Sequence, residues 1–432
     1  MKKNKQTVDI ITLGCSKNLV DSEHLLKQFE ALGYNVRHDS ENADGDIVII
    51  NTCGFIGDAK EESIETILQF ASGKKAGNIN KLFVMGCLSE RYLNELAIEI
   101  PEVDKFYGKF NYTDILLDLG RAYRADLRLE RIITTPPHYA YVKISEGCNR
   151  TCSYCAIPII TGRHRSRSVE DIEAEVKNLV SKGVKEFQLI AQDLSYYGLD
   201  RYKTMKLAEL TARLSDIKGV EWLRLHYAYP AHFPFDVLKV MRERENICNY
   251  LDIALQHISD NMLKKMRRNI TKAQTCELMN RLREDVPGIH LRTTVMLGHP
   301  GETEEDVEEL KQFIRDIRFE RLGAFAFSNE EGTYSYSNYE DTISEEIKQA
   351  RVDEIMSIQQ ELSFEVNRSK IGKTMKVMID RRENDYFVGR TEFDSPEVDQ
   401  EVLIAVATPN IQIGEFYTAQ ILDASDFDLY AK

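Results

Sequence analysis

Three apolar runs near the N-terminus each end on a cysteine: Val8-Asp-Ile-Ile-Thr-Leu-Gly-Cys15, Asp46-Ile-Val-Ile-Ile-Asn-Thr-Cys53 and Lys81-Leu-Phe-Val-Met-Gly-Cys87. Runs of this length predict buried strands, and the stretches between them, 22–32 and 58–70, repeat apolar residues at helical spacing. Strand and helix in alternation predict a doubly wound α/β domain with a parallel sheet. Ligands of such sheets gather beyond the carboxyl ends of the strands. Taken singly, each cysteine reads as a small core residue. Their shared position at three strand ends instead makes Cys15, Cys53 and Cys87 candidate ligands of one metal cluster.

A second set, Cys148, Cys152 and Cys155, lies in Ser145-Glu-Gly-Cys-Asn-Arg-Thr-Cys-Ser-Tyr-Cys-Ala-Ile-Pro158. The C-x-x-x-C-x-x-C spacing supplies three thiolates to an iron-sulfur cube and leaves a fourth iron open. Zinc sites commonly repeat C-x-x-C twice, and the ferredoxin run brings four cysteines, so neither pattern describes this triplet well. A buried or zinc-binding trio is the bland alternative. Around it the chain predicts six strand-helix units, with strands over 139–146, 186–191, 222–226, 250–254, 290–297 and 321–327 and helices such as 168–182 and 271–284. Six is short of the eight of a closed (β/α) barrel, so an open partial barrel is expected. Chemistry at the carboxyl ends of barrel strands singles out Gln192-Asp193, His226, Gln256-His257 and Gly298-His-Pro-Gly-Glu-Thr303 as candidate cavity residues. The last segment reads equally as a strand-to-helix turn with its cap.

The elements Gly14-Cys-Ser-Lys-Asn-Leu-Val-Asp-Ser-Glu23, Asn51-Thr-Cys-Gly-Phe55 and Gly86-Cys-Leu-Ser-Glu-Arg-Tyr92, followed by the second triplet, resemble the radical S-adenosylmethionine (SAM) methylthiotransferases across essentially the whole chain. Ser16-Lys17 after the first Gly-Cys pair, and Gln192-Asp193-Leu-Ser-Tyr-Tyr-Gly198, resemble the RimO branch, which modifies small-subunit ribosomal protein S-twelve. The tRNA-modifying MiaB branch usually carries Gln-Met at the first of these places. The resemblance implies two 4Fe-4S clusters, a radical cluster on Cys148, Cys152 and Cys155 that cleaves SAM, and an auxiliary cluster on Cys15, Cys53 and Cys87 that presents a methylated sulfur. The implied product is a methylthioether on the β-carbon of an aspartate. It also gives Tyr154 and Val295 places beside the adenosine of SAM and Gln192 a place at its amino-acid end. Arg163, in the basic stretch Thr161-Gly-Arg-His-Arg-Ser-Arg-Ser168, offers a planar fork for the SAM carboxylate. Lys264, Lys265, Arg267 and Arg268 read as a solvated helix face.

Beyond residue 368 the pattern changes to short alternating strands and turns, which predicts a small antiparallel β-barrel. By position and length it resembles the TRAM domain that ends methylthiotransferases. The expected division is 1–125 for the auxiliary-cluster domain, 134–366 for the radical-SAM core and 367–432 for TRAM. Past Arg390 this last part holds Glu392, Asp394, Glu397, Asp399, Glu401, Glu415, Asp423, Asp426 and Asp428 against Lys432 alone. With a net charge of −14, it is expected to avoid tRNA phosphates and to suit a basic ribosomal protein. No apolar stretch has the length of a membrane span, and Met1-Lys-Lys-Asn-Lys-Gln leads directly into a strand, so a cytoplasmic protein is expected. Cys248 and Cys276 are expected to be structural thiols without disulfides. A reductant such as flavodoxin or ferredoxin is an implied partner.

Overall fold

The computed structural model describes residues 5–40 and 44–432; Met1-Lys-Lys-Asn, at the start of the chain, lies outside them. Val and Ile runs buried on both faces form the first parallel sheet, because β-branched side chains fill the pleat between two helical layers. Its strands are β1 (Thr7–Thr12), β2 (Asn35–His38), β3 (Ile47–Thr52), β4 (Lys81–Gly86) and β5 (Lys105–Phe106), in the order β2-β1-β3-β4-β5. The direction of winding reverses between β1 and β3. Cys15 and Cys53 follow those two strands, at the place where a doubly wound sheet opens a crevice.

The second sheet holds β6 (Tyr139–Lys143), then, beyond the two-stranded clasp of β7 (Ser145–Glu146) and β8 (Arg165–Ser166), β9 (Glu186–Ile190), β10 (Trp222–Ala228), β11 (Ile247–Ile253), β12 (His290–Leu297) and β13 (Arg321–Ala326). These six strands are parallel and lie in sequence order, so the barrel stays open. The helix Ser16–Ala31 covers its β6 edge, where Leu19 and Val20 pack on Tyr139, Tyr141 and Ile190. The helix Glu345–Arg368 packs against the other edge strand, β13.

The C-terminal strands β14 (Thr374–Glu383), β15 (Tyr386–Thr391), β16 (Glu401–Ala405), β17 (Phe416–Ala424) and β18 (Asp428–Ala431) close into a barrel. It is not wholly antiparallel, because β16 pairs with β18 in parallel. The four residues of β18 are too short a run for periodicity to detect.

Four of the acids after Arg390 make contacts that their sequence does not reveal. Glu392, Asp394, Glu397 and Asp399, between β15 and β16, plug the amino-terminal mouth of the open barrel. Glu397 accepts from the hydroxyls of Tyr139 and Tyr141 at 2.9 and 3.1 Å. Asp399 accepts from Tyr250 at 2.9 Å and Arg292 at 3.2 Å, and Asp394 pairs with Arg321 at 2.6 Å. Arg390 is buried between Glu186 and Asp380. Burial opposes the charge of Asp394, but Arg321 and Lys370 outweigh it and hold the carboxyl down to about 2. No described helix is long and apolar enough to cross a membrane.

Candidate active site

Each triplet begins behind a glycine that only glycine suits. Gly14 has φ +90°, and a Cβ there would lie 2.9 Å from Cys53 Sγ. Gly147 has φ +75°, and a Cβ would run into the carbonyl of Arg163. Both positions let the backbone approach closely where a side chain could not.

The first triplet is assembled by Asn18. Its side-chain amide donates to the carbonyls of Leu13 at 3.0 Å and Thr52 at 3.1 Å, tying together the ends of β1 and β3. Its Oδ1 lies 3.7 Å from Cys87 Sγ and accepts from Lys109 at 3.3 Å. Cys53 donates its N–H to Ser63 at 3.0 Å. Burial pushes the Cys53 thiol up and Cys87 up to about 12. Cys15 is exposed; the protein packed around it still opposes its charge, but Lys17, Lys109 and backbone N–H groups of the first helical turn outweigh that and lower the thiol. Lys109 and Lys143 both pair with Asp21, and Lys143 also with Glu146.

The second triplet sits in the loop between β7 and the helix Ile157–Thr161. The Arg150 N–H donates to Cys148 Sγ at 3.4 Å, and the Arg150 side chain pairs with Asp193 at 2.7 Å. Arg268 donates to Cys152 Sγ at 3.3 Å and to the Tyr154 hydroxyl at 3.1 Å, and it also reaches the Ala254 carbonyl. The Tyr229 ring lies between the two guanidiniums, 4.0 Å from that of Arg150 and 4.1 Å from that of Arg268. Ser153 binds the loop to His299 at 3.0 Å and, through its carbonyl, to the Ser335 N–H at 2.7 Å. Burial pushes the Cys148 thiol up to about 12 and raises Cys155 further.

The two sets abut: Cys87 packs on Ala156 and Ile160, just beyond Cys155. Arg91 and Lys60 clamp the same seam by pairing with buried Glu330 at 2.9 and 2.8 Å. A cleft of about 870 Å³ opens beside it, lined by Phe55, Tyr154, Gln256, Thr294, Met296 and Phe325 among others.

The donors in each set are soft sulfurs. Among the described residues no three Cys, His, Asp or Glu side chains converge on the position of one ion. A cubane requires the wider arrangement, since each thiolate meets a different iron. Each set offers three free thiols, the donor type that holds a 4Fe-4S cluster.

Residues 7–108 match the Uncharacterized protein family UPF0004, 142–314 the Radical SAM superfamily and 371–432 the TRAM domain. Proteins named ribosomal protein uS12 methylthiotransferase RimO are similar from end to end. That of Bacteroides thetaiotaomicron is 66% identical over 99% of this chain and 98% of its own length. That of Cytophaga hutchinsonii is 52% identical over 100% and 99%. The chain belongs to the RimO methylthiotransferase family.

Solved structures similar in fold include the radical SAM methyltransferase TsrM of Kitasatospora setae, with TM-score 0.54 and 14% identity over 74% of this chain and 75% of that one. The cobalamin-dependent SAM radical enzyme OxsB has TM-score 0.53 and 13% identity over 83% and 56%. At such identity the likeness concerns the fold alone.

Not every residue singled out in the sequence lies at the cleft of this RimO-family chain. Tyr154 lines it. Gln192 donates to Glu146 at 3.2 Å, and its buried Oε1 has no partner. The side chain of Val295 is 1% exposed and belongs to the hydrophobic core with Leu291 and Leu297. Strand alternation gives the cleft to Thr294 and Met296 instead, so only the backbone of Val295 faces that way. Arg163 is exposed and makes no ion pair among the described residues; Arg167 pairs with Glu175.

Gly298–Thr303 is mainly a capping turn. Glu302 accepts from the Gly298 N–H and pairs with Arg351, while Thr303 forms a capping box with Asp306. His226 lies at the floor plug, 3.3 Å from Ser395. Arg268, expected on a solvated face, is 3% exposed and touches the second triplet. Its position follows the helix Asp260–Lys265 and an Arg267 of positive φ, which turns the chain inward. A charge run does not reveal that turn.

Proposed function

We propose that this RimO-family chain adds a methylthio group to the β-carbon of an aspartate in ribosomal protein uS12. The observation that carries the reading is the packing of Cys87 on the helix after Cys155, which joins two cysteine triplets across one seam. Cys148, Cys152 and Cys155 would hold one 4Fe-4S cluster and Cys15, Cys53 and Cys87 the other; with SAM bound, these groups supply the radical and sulfur chemistry that side chains lack.

The chain's own residues prepare that chemistry. Arg268 stabilises negative sulfur at Cys152 and fixes Tyr154 at the cleft wall. The unpartnered amide oxygens of Gln192 and Gln256 are acceptors for a ligand's amino group, since an unpaired buried acceptor is costly. Phe55, Met296 and Phe325 give the cleft apolar walls that displace water. Residues 1–125 would carry the auxiliary cluster, 134–366 the SAM chemistry and 367–432 the floor plug. A flavodoxin or ferredoxin is the proposed reductant, and the cytoplasm the proposed compartment.

The test offers the anaerobically reconstituted protein both uS12 and a tRNA bearing isopentenyl-adenosine. A mass gain of about 46 Da, the replacement of H by SCH3 in a cofactor-driven transfer, is expected on uS12. A gain on the tRNA alone overturns the reading.

A further inference from the structure

Lys17 is the second residue of the helix that follows Cys15, and it is 91% buried, with 9% exposed. Its ammonium crosses the seam to the second sheet and lies 3.5 Å from the centroid of the Tyr227 ring. Among the described residues no carboxylate pairs with it, whereas its neighbours Lys109 and Lys143 are both paired with Asp21. Its stem is buried, while Nζ, which makes no hydrogen bond, keeps an open side. The ring holds the ammonium in place and leaves that open side free for an anion.

Tyr227 is held there by special backbone. Its φ is +65°, and the pairing of β10 with β11 shifts register between Leu225 and Ala228. Bulges of this kind re-aim a side chain, and left-handed backbone at a non-glycine residue persists only where the surroundings enforce it. The ring, itself 36% exposed, holds a cation two residues along the chain from Cys15.

We propose that Lys17, seated on Tyr227, binds the side-chain carboxylate of the aspartate to be modified and so selects aspartate over asparagine. The proposal rests on uS12 being the substrate. It makes Lys17 a specificity residue: the fixed ammonium would hold the carboxylate while leaving the adjoining β-carbon free to face the seam between the triplets.

The test measures equilibrium binding of uS12 to the reconstituted protein without SAM or reductant. Two forms of uS12 are compared, one with the target aspartate and one with asparagine in its place. The unsubstituted enzyme is expected to favour the aspartate form roughly ten- to hundredfold, the range of a charge-assisted hydrogen bond. Lys17→Gln should bring the ratio close to one by weakening only the aspartate form, and Lys17→Arg should retain part of it. Lys17→Met, whose thioether keeps a contact with the ring, serves as a second neutral variant if Lys17→Gln folds poorly. Each ratio is taken within one preparation, so it does not depend on the folded fraction. A ratio that persists in the neutral variants, or an unsubstituted enzyme indifferent to the two forms, overturns the role of Lys17 while leaving uS12 as substrate. An enzyme that neither binds nor modifies uS12 overturns both.

Discussion

Arg268 shows how one buried guanidinium can organise a cysteine loop. One of its nitrogens donates to both Cys152 Sγ and the Tyr154 hydroxyl, and the other to the Ala254 carbonyl. The planar fork serves three acceptors at once, which a lysine ammonium on a flexible stem does not reproduce. Arg268→Met is predicted to lower cluster retention or SAM cleavage roughly 10- to 100-fold, the usual effect of removing a group that orients a metal ligand. Iron and sulfide analysis of the reconstituted variant checks this. Arg268→Lys should recover little of the loss, and a variant with full iron and full SAM cleavage would remove Arg268 from the site.

The connection between β15 and β16 binds two elements that propensity alone leaves separate. Its acids meet Arg321, Arg292, Tyr139, Tyr141 and Tyr250 inside the barrel mouth. Asp394→Asn leaves Arg321 as an uncompensated buried charge, a change that costs about 3–5 kcal/mol. Thermal unfolding near neutral pH is expected to show that loss. The pH dependence has a definite sign. Asp394 titrates at about 2 in the fold, below the ordinary aspartate value. Its stabilisation is thus complete above the unfolded value and disappears as pH falls through the folded one. The stability difference between Asp394→Asn and the parent should shrink over that same acid range; a difference independent of pH there would mean that the charge of Asp394 does not hold the plug.

On the scale of the molecule, two sheets turn their carboxyl ends toward one seam, and each brings its own triplet. The two sites should load independently. Replacing Cys148, Cys152 and Cys155 together by Ala is predicted to take the reconstituted protein from about eight irons to about four, on a stoichiometry of two cubanes. The variant lacking Cys15, Cys53 and Cys87 should show the same halving. With dithionite and SAM it should still release deoxyadenosine, yet make no methylthiolated uS12. Retention of about eight irons in either variant would break the assignment of its triplet.

Local pattern determined much of this. The strand ends before Cys15, Cys53 and Cys87 and the first core strands were legible because burial on both faces leaves apolar runs, and the C-terminal barrel because short strands there alternate with turns. Spacing alone marked Cys148, Cys152 and Cys155 as a set, since all three ride on one short loop. Contacts between distant segments were not legible. Val295 turned into the core because strand alternation assigns the cleft to its neighbours, a phase that depends on which face of β12 meets the helices. Arg268 looked like surface charge, and the acids after Arg390 like an open acidic face, because charge in a sequence carries no record of its partners. Only the tertiary structure decided those pairings: burial makes a charge expensive unless an opposite charge, a thiol or an aromatic face is brought to it from elsewhere in the chain.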